Sequence, residues 1–190
     1  LDGDGIIAPL GNGQPSAIMN AIAKRVREND LKDIVYTGGV DVKWLDTLSP
    51  DIQDRMQMNS GFVGVAVRHG CQEGWYTYTS NRLGHSVYIL TDLVPHIKKS
   101  VVTAVVSPMD EHGWFSSGTH ADLAWASWKS GNYRNLILEV NEHMPKSYGA
   151  NHYHISEVTA LTENHQPLVE LPEIPTTKED DLIGQYIAER

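Results

Sequence analysis

Two short apolar runs, VVTAVV at 101–106 and NLILEV at 135–140, stop abruptly in polar turns rich in Gly and Pro, and between them 120–129 has helical spacing. That order is strand, loop, helix, strand, loop, the sequence form of a βαβ unit, and it constrains the fold more than any other stretch. Both runs are apolar continuously rather than in alternation, as expected of parallel strands covered on both faces. Parallel strands joined in this way end on the same edge of a sheet. The 107–118 and 141–149 loops are therefore predicted to lie side by side, at the edge where open α/β sheets bind ligands.

The rest of the chain extends this pattern. Ile6 to Leu10 reads as a strand, and Gly11-Asn-Gly-Gln-Pro15 leads into a helix whose apolar face is Ala17, Ile18, Ala21, Ile22 and Val26. Pro15 suits the first turn, where its missing N–H costs nothing. Strands are expected at 33–37, 62–67 and 75–79, and a short helix at 48–51 with Ser49 as N-cap and Pro50 following. A helix interrupted by Pro95 is expected over 87–99, and a further strand within 151–161. Pro167, Pro172 and Pro175 mark an extended linker, after which Thr177-Lys-Glu-Asp180 has the form of a capping box opening a last helix. The predicted class is α/β: an open, mainly parallel sheet flanked by helices.

Composition removes several functions. With 190 residues and a formal charge of −9 the chain lacks the clustered Lys and Arg that nucleic acid requires. No apolar run approaches the ~20 residues that span a bilayer, so no membrane association is expected. The single Cys71 excludes an internal disulfide and suits a reducing, cytoplasmic setting. It lies in a turn-like stretch without an oxyanion-hole signature and is a weak nucleophile candidate.

Candidate chemistry is scattered. The loop before the first helix presents free N–H groups and a helix dipole to an anion, yet it matches neither a dinucleotide fingerprint nor a P-loop, and a tight turn alone would explain it. His152 and His154 share one face of a strand, but no third ligand accompanies them, so no metal is expected. Asp110, Glu111 and His112 form a possible acid/base set, and Glu139 or Glu142 a possible nucleophile. A Glu between Leu138 and Val140 must be paired or hydrogen-bonded if buried, and the alternative role is a carboxylate that ties loop N–H groups together. No complete catalytic constellation is visible.

The segments SPMDEHGWFSSG (107–118) and EVNEHMP (139–145), with Gly3-Asp-Gly5 and Gly13-Gln-Pro15 before them, resemble the N-terminal domain of the acetyl-CoA hydrolase/transferase family, which includes 4-hydroxybutyrate and butyrate CoA-transferases. The chain departs from the family pattern at 88–95. The resemblance implies a CoA-transferase-like half spanning 1–175, with 176–190 opening a helix toward a C-terminal domain. It implies an acyl-CoA and a short carboxylate as substrates, no permanently bound cofactor, and a catalytic Glu on the other half. That Glu would form a glutamyl-CoA thioester. The implied substrate contacts are Gly13, Gln14 and Pro15 at a helix start; Ser107, Pro108, Gly113 and Gly118 where backbone approaches closely; Asn141 as donor and acceptor; and Met144 and Pro145 as an apolar wall. Each has a plainer reading as a loop-shaping residue. A homo-oligomer is expected. The other functions open at this point are an acyl-CoA hydrolase, a non-catalytic small-molecule-binding domain of the same fold and, disfavoured for want of an acid/base set, a sugar-phosphate isomerase.

Overall fold

The structure is a computed structural model that describes residues 2–28, 31–86, 88, 98–131 and 133–189. Seven strands form one sheet in the order β4-β3-β2-β1-β5-β7-β9: β1 (Asp4–Ile7), β2 (Ile34–Gly38), β3 (Met56–Ser60), β4 (Thr77–Tyr78), β5 (Lys98–Val106), β7 (Tyr133–Val140) and β9 (Ala160–Glu163). Every neighbouring pair in this sheet is parallel. A separate antiparallel pair, β6 (Trp114–Ser116) and β8 (His152–His154), sits beside it. Among the described residues the sheet is flanked by the helices α1 (Ser16–Arg27), α2 (Val65–Gln72) and α3 (Leu123–Lys129), and a further helix, α4 (Lys178–Ala188), follows β9.

Two apolar clusters occupy opposite faces, because alternate residues of one strand point to opposite sides. Ile6, Ile34, Tyr36, Met56 and Met58 pack against Met19, Ala23 and Val26 of α1. Val102, Ala104, Val106, Leu136 and Leu138 pack against Ala124 and Trp128 of α3 and against Phe115 and Tyr153 of the small pair. The predicted βαβ unit is therefore β5–α3–β7, with Val102 beside Leu136 and Val106 beside Val140.

Several expectations shift. The strand expected at 62–67 is instead a turn followed by α2, and the strand lies just before it in Met56–Ser60. Met56, Met58 and Ser60 are buried while Gln57 is exposed, a period-two pattern broken by too few aliphatic side chains to stand out in the sequence. In the 65–72 segment Val65 faces solvent while Val67 and Gly70 turn inward, which is helical spacing despite the β-branched residues. Gly70 allows the ring of Tyr76 to lie directly on the helix backbone, and this tertiary contact outweighs strand propensity. The helix expected from about 119 starts at Leu123, where the Asp122 side chain accepts from Ala124 N at 3.3 Å. Most of the helix expected over 87–99 lies outside the described residues, although 98–99 belongs to β5.

The linker and last helix behave as the sequence indicates. Residues 164–176 have no regular structure, and the capping box at Thr177 and Asp180 is formed. No residue of α4 is buried, and Leu182, Ile183, Tyr186 and Ile187 expose an apolar stripe.

Candidate active-site cleft at the strand carboxyl ends

From β1 the chain steps outward through β2, β3 and β4 and then returns to lay β5 on the other side of β1, so the sheet has its switch point between β1 and β5. The turns after β1, β2, β3, β5 and β7 all gather on this edge.

On the β5/β7 side the 107–118 and 141–149 loops are adjacent, as predicted. Ser147 N donates to Ser116 Oγ at 3.0 Å, and Lys146 Nζ lies 3.0 Å from Asp110 Oδ2. Ser107 is buried and its Oγ accepts from Ser116 N at 3.0 Å, whereas Pro108 and Pro145 are exposed and Gly113 is half-buried. Gly113 and Gly118 take φ of +83° and +60°, and Gly118 lies directly against Met144 and the Pro145 carbonyl. Met144 is buried, so it supports Gly118 from beneath. Asn141 uses both ends of its amide within the fold: Nδ2 donates to Gln166 O at 2.8 Å and Oδ1 accepts from His143 N at 3.0 Å.

Asp110 accepts from Trp114 N, His112 N and Lys146 Nζ, and these bonds, Trp114 first, hold its carboxyl down at about 2. It is a permanently ionised turn carboxylate and a poor acid/base. Glu111, His112 and Glu142 are exposed. His152 Nδ1 lies 3.1 Å from Gly149 O, and the His154 ring packs on Trp114 at 4.7 Å.

The N-terminus of α1 already holds an anion. The buried carboxylate of Glu139, near the carboxyl end of β7, accepts from Ala17 N at 2.8 Å and Ile18 N at 3.3 Å through Oε2, while Oε1 accepts from Asn164 Nδ2 at 2.8 Å. Glu139 thus ties N–H groups together, the structural role foreseen for it, with the helix-dipole end as its partner. Asn12 exchanges two hydrogen bonds with the backbone of Val169, which fastens the linker over the same place. Gly13, Gln14 and Pro15 are all buried here. Gly13 is required by close approach, since a Cβ would meet the His120 ring at 2.7 Å.

Gln14 belongs to an internal polar cluster. Its Nε2 donates to Asp41 Oδ1 at 2.6 Å and lies 3.4 Å from the Tyr36 hydroxyl. Burial pushes the Asp41 carboxyl up, against the lowering effect of its bonds to Gln14 and Tyr36. The folded state then binds this proton more tightly than the unfolded chain does. Its stabilising contribution is complete below the ordinary value of 3.8 and is lost as pH rises through the folded value. Asp41→Asn, which keeps the shape without the charge, should raise the urea midpoint at pH 7, and the gain should shrink toward pH 4. An equal change at both pH values would exclude a buried charge as the cause.

A broad space beside the 107–118 and 141–149 loops is lined by Asp110, Trp114, Lys129, Gly149, Ala150 and His152, and an apolar cavity lies elsewhere on the edge. That cavity, of about 320 Å³, is lined by Leu10, Gly38-Gly39-Val40, Gly61-Phe62, Leu83 and Leu123, with Asn81 and Ser86 among its polar members. None of the ten contacts implied by the resemblance lines it. The sequence signal was present in the short glycine turns Gly38-Gly39 and Ser60-Gly61, but the misplaced strand at 62–67 hid the second. Val40 has φ of +50°, rare for a β-branched residue, and its carbonyl accepts from Gly11 N at 3.1 Å. Among the described residues the buried and half-buried carboxylates of this edge, Asp41, Asp122 and Glu139, are engaged in the fold, whereas Glu111 and Glu142 stand exposed on the loops. Burial also pushes the Cys71 thiol up, and Cys71 lies near the far end of α2.

Residues 2–172 match the acetyl-CoA hydrolase/transferase N-terminal domain. The chain belongs to this family. It is 29% identical over 187 residues to a succinyl-CoA:cyclohexane-1-carboxylate CoA transferase of Geobacter metallireducens, covering 98% of this chain and 41% of that protein. A butyryl-CoA:acetate CoA-transferase of Anaerostipes caccae is 32% identical over 159 residues, or 82% of this chain and 34% of that protein. Among solved structures, RipA from Yersinia pestis superposes with a TM-score of 0.84 at 29% identity, over 99% of this chain and 45% of that one. The chain thus spans well under half the length of these relatives. The family bears out the resemblance drawn from the 107–118 and 139–145 segments. Among the described residues no helix is long and apolar enough to cross a membrane.

Proposed function

We propose that this chain is the N-terminal domain of an acyl-CoA:carboxylate CoA-transferase and forms the acyl-binding wall of its active site. The observation that supports this reading most directly is a strand-end cleft that offers an apolar cavity with no acidic side chain among its described lining residues, while the buried and half-buried carboxylates around it are tied into the fold. Such a wall binds and orients a substrate while the attacking group comes from another part of the protein.

In the proposed reaction, a Glu carboxylate of a C-terminal domain attacks the acyl-CoA carbonyl and expels CoA thiolate, leaving a mixed anhydride. The thiolate attacks the glutamyl carbonyl and releases the first acyl group as a carboxylate, leaving a glutamyl-CoA thioester. The acceptor carboxylate attacks this thioester and expels CoA thiolate, leaving a second mixed anhydride, and the thiolate then attacks its acceptor acyl carbonyl to give the new acyl-CoA and free the Glu carboxylate. Of the ten contacts the resemblance implies, Pro108, Gly113 and Pro145 keep substrate-facing positions in this proposal. The buried Gln14, Ser107, Asn141 and Met144, with Gly13, Pro15 and Gly118, shape the loops behind them. The exposed apolar stripe of α4 is proposed to pack on the C-terminal domain, with the division near 175, and substrate is proposed to be the only CoA species bound.

The test uses the intact protein carrying this domain. Borohydride should inactivate it only after incubation with an acyl-CoA, because only the thioester is reduced, and adding a carboxylate acceptor should protect. Inactivation that does not depend on acyl-CoA would overturn the covalent scheme, and CoA release without any acceptor would identify a hydrolase instead.

A further inference from the structure

We infer that the cavity over the ends of β1, β2 and β3 receives the uncharged hydrocarbon part of a short acyl-CoA and discriminates against acyl groups ending in a second carboxylate. This deepens the transferase reading and rests on it. The walls are Leu10, Val40, Phe62, Leu83 and Leu123, and among the described residues the lining holds no Lys, Arg or His. Part of its polar floor is engaged internally. Ser86 Oγ donates to Asn81 Oδ1 at 2.9 Å, Asn81 Nδ2 donates to Thr79 O at 3.0 Å, and Thr79 Oγ1 donates to Asn59 Oδ1 at 2.8 Å. Phe62 N is likewise engaged, with Ser60 Oγ at 3.3 Å.

A terminal carboxylate entering this space loses its water and meets apolar walls with no cation among the described lining residues, whereas a methylene chain loses nothing polar and buries apolar surface. The volume, about 320 Å³, leaves room for an acyl chain several carbons long. Glycines at 38, 39 and 61 set that room. A Cβ on Gly39 would lie 3.5 Å from Phe62 N and 3.6 Å from Leu10 Cδ2, which is ordinary contact, so alanine is accepted there and reduces the space. The left-handed φ of Val40 is the kind of strain that persists where the surrounding fold fixes a wall. The substrate class is therefore set apart from the succinyl donor named for the Geobacter relative.

The experiment measures kcat/KM of the intact protein for acetyl-, butyryl-, hexanoyl- and succinyl-CoA with acetate or butyrate as acceptor. Butyryl-CoA should exceed succinyl-CoA by at least about tenfold. Gly39→Ala should lower the hexanoyl-to-acetyl ratio roughly tenfold, and Leu83→Arg, a cation at the exposed rim, should raise the succinyl-to-butyryl ratio by a similar factor. Succinyl-CoA used as well as butyryl-CoA by the unaltered protein, or a Gly39→Ala variant that leaves the chain-length ratio unchanged, would overturn the assignment while CoA transfer itself stands. No transfer from any donor would overturn the functional reading and this one with it.

Discussion

Glu139→Ala is expected to lower the unfolding free energy by about 3 kcal/mol, the largest effect of any single polar side chain in the sheet. The carboxylate is 2% exposed and accepts from Ala17 N, Ile18 N and Asn164 Nδ2. Truncation leaves Ala17 N and Ile18 N without their acceptor and Asn164 Nδ2 with Ser16 Oγ alone, and the helix loses the carboxylate at its positive end. Half-buried Lys43, whose ammonium pKa is pushed down by burial and partly restored by Glu139, would lose that support. Glu139→Gln retains one acceptor oxygen but turns an NH2 toward donors, so it should recover about half the loss. Urea unfolding of the three proteins decides the matter. A loss below about 1 kcal/mol in the alanine variant would mean that water replaces the carboxylate and that α1 needs no internal anion.

Gly118→Ala should cost about 3 kcal/mol, from two sources. The backbone φ of +60° disfavours any L side chain by roughly 1–2 kcal/mol. A Cβ there would also lie 2.6 Å from the Pro145 carbonyl oxygen, a backbone atom that cannot rotate away, and against buried Met144. The 141–149 loop must shift, and with it the contact between the two loops. Gly131→Ala separates the two sources: Gly131 has φ of +71° with nothing within 4 Å of its would-be Cβ, so only the conformational part, about 1 kcal/mol, applies. Equal losses in the two variants would show that the loops yield freely and that close packing at Gly118 contributes nothing.

The Gly118 and Glu139 cases mark how far sequence reasoning reaches. The order of β5, α3 and β7 was legible because two short runs rich in aliphatic and β-branched residues, bounded by Gly and Pro turns and separated by helical spacing, fit strands covered on both faces. The capping box at Thr177 was legible because both its hydrogen bonds lie within four residues. Glu139 was legible as an anomaly, a charge inside an apolar run, and the need for a partner followed from desolvation alone. Its partner, the start of α1 more than a hundred residues earlier, was not.

The sequence by itself determined the α/β class, the parallel βαβ unit, the adjacency of the 107–118 and 141–149 loops and the family to which the chain belongs. Those depend on local periodicity, on the handedness of strand connections and on the spacing of motifs. Only the tertiary structure decided that α2 is a helix, since Gly70 against Tyr76 is a packing contact that overrides β-branched propensity. Only it placed Glu139 on the helix end that the sequence offered to an anion, and put the apolar cavity over β1, β2 and β3. Which N–H groups are free and which turns leave space depends on side chains arriving from distant elements, and no local pattern records where those will land.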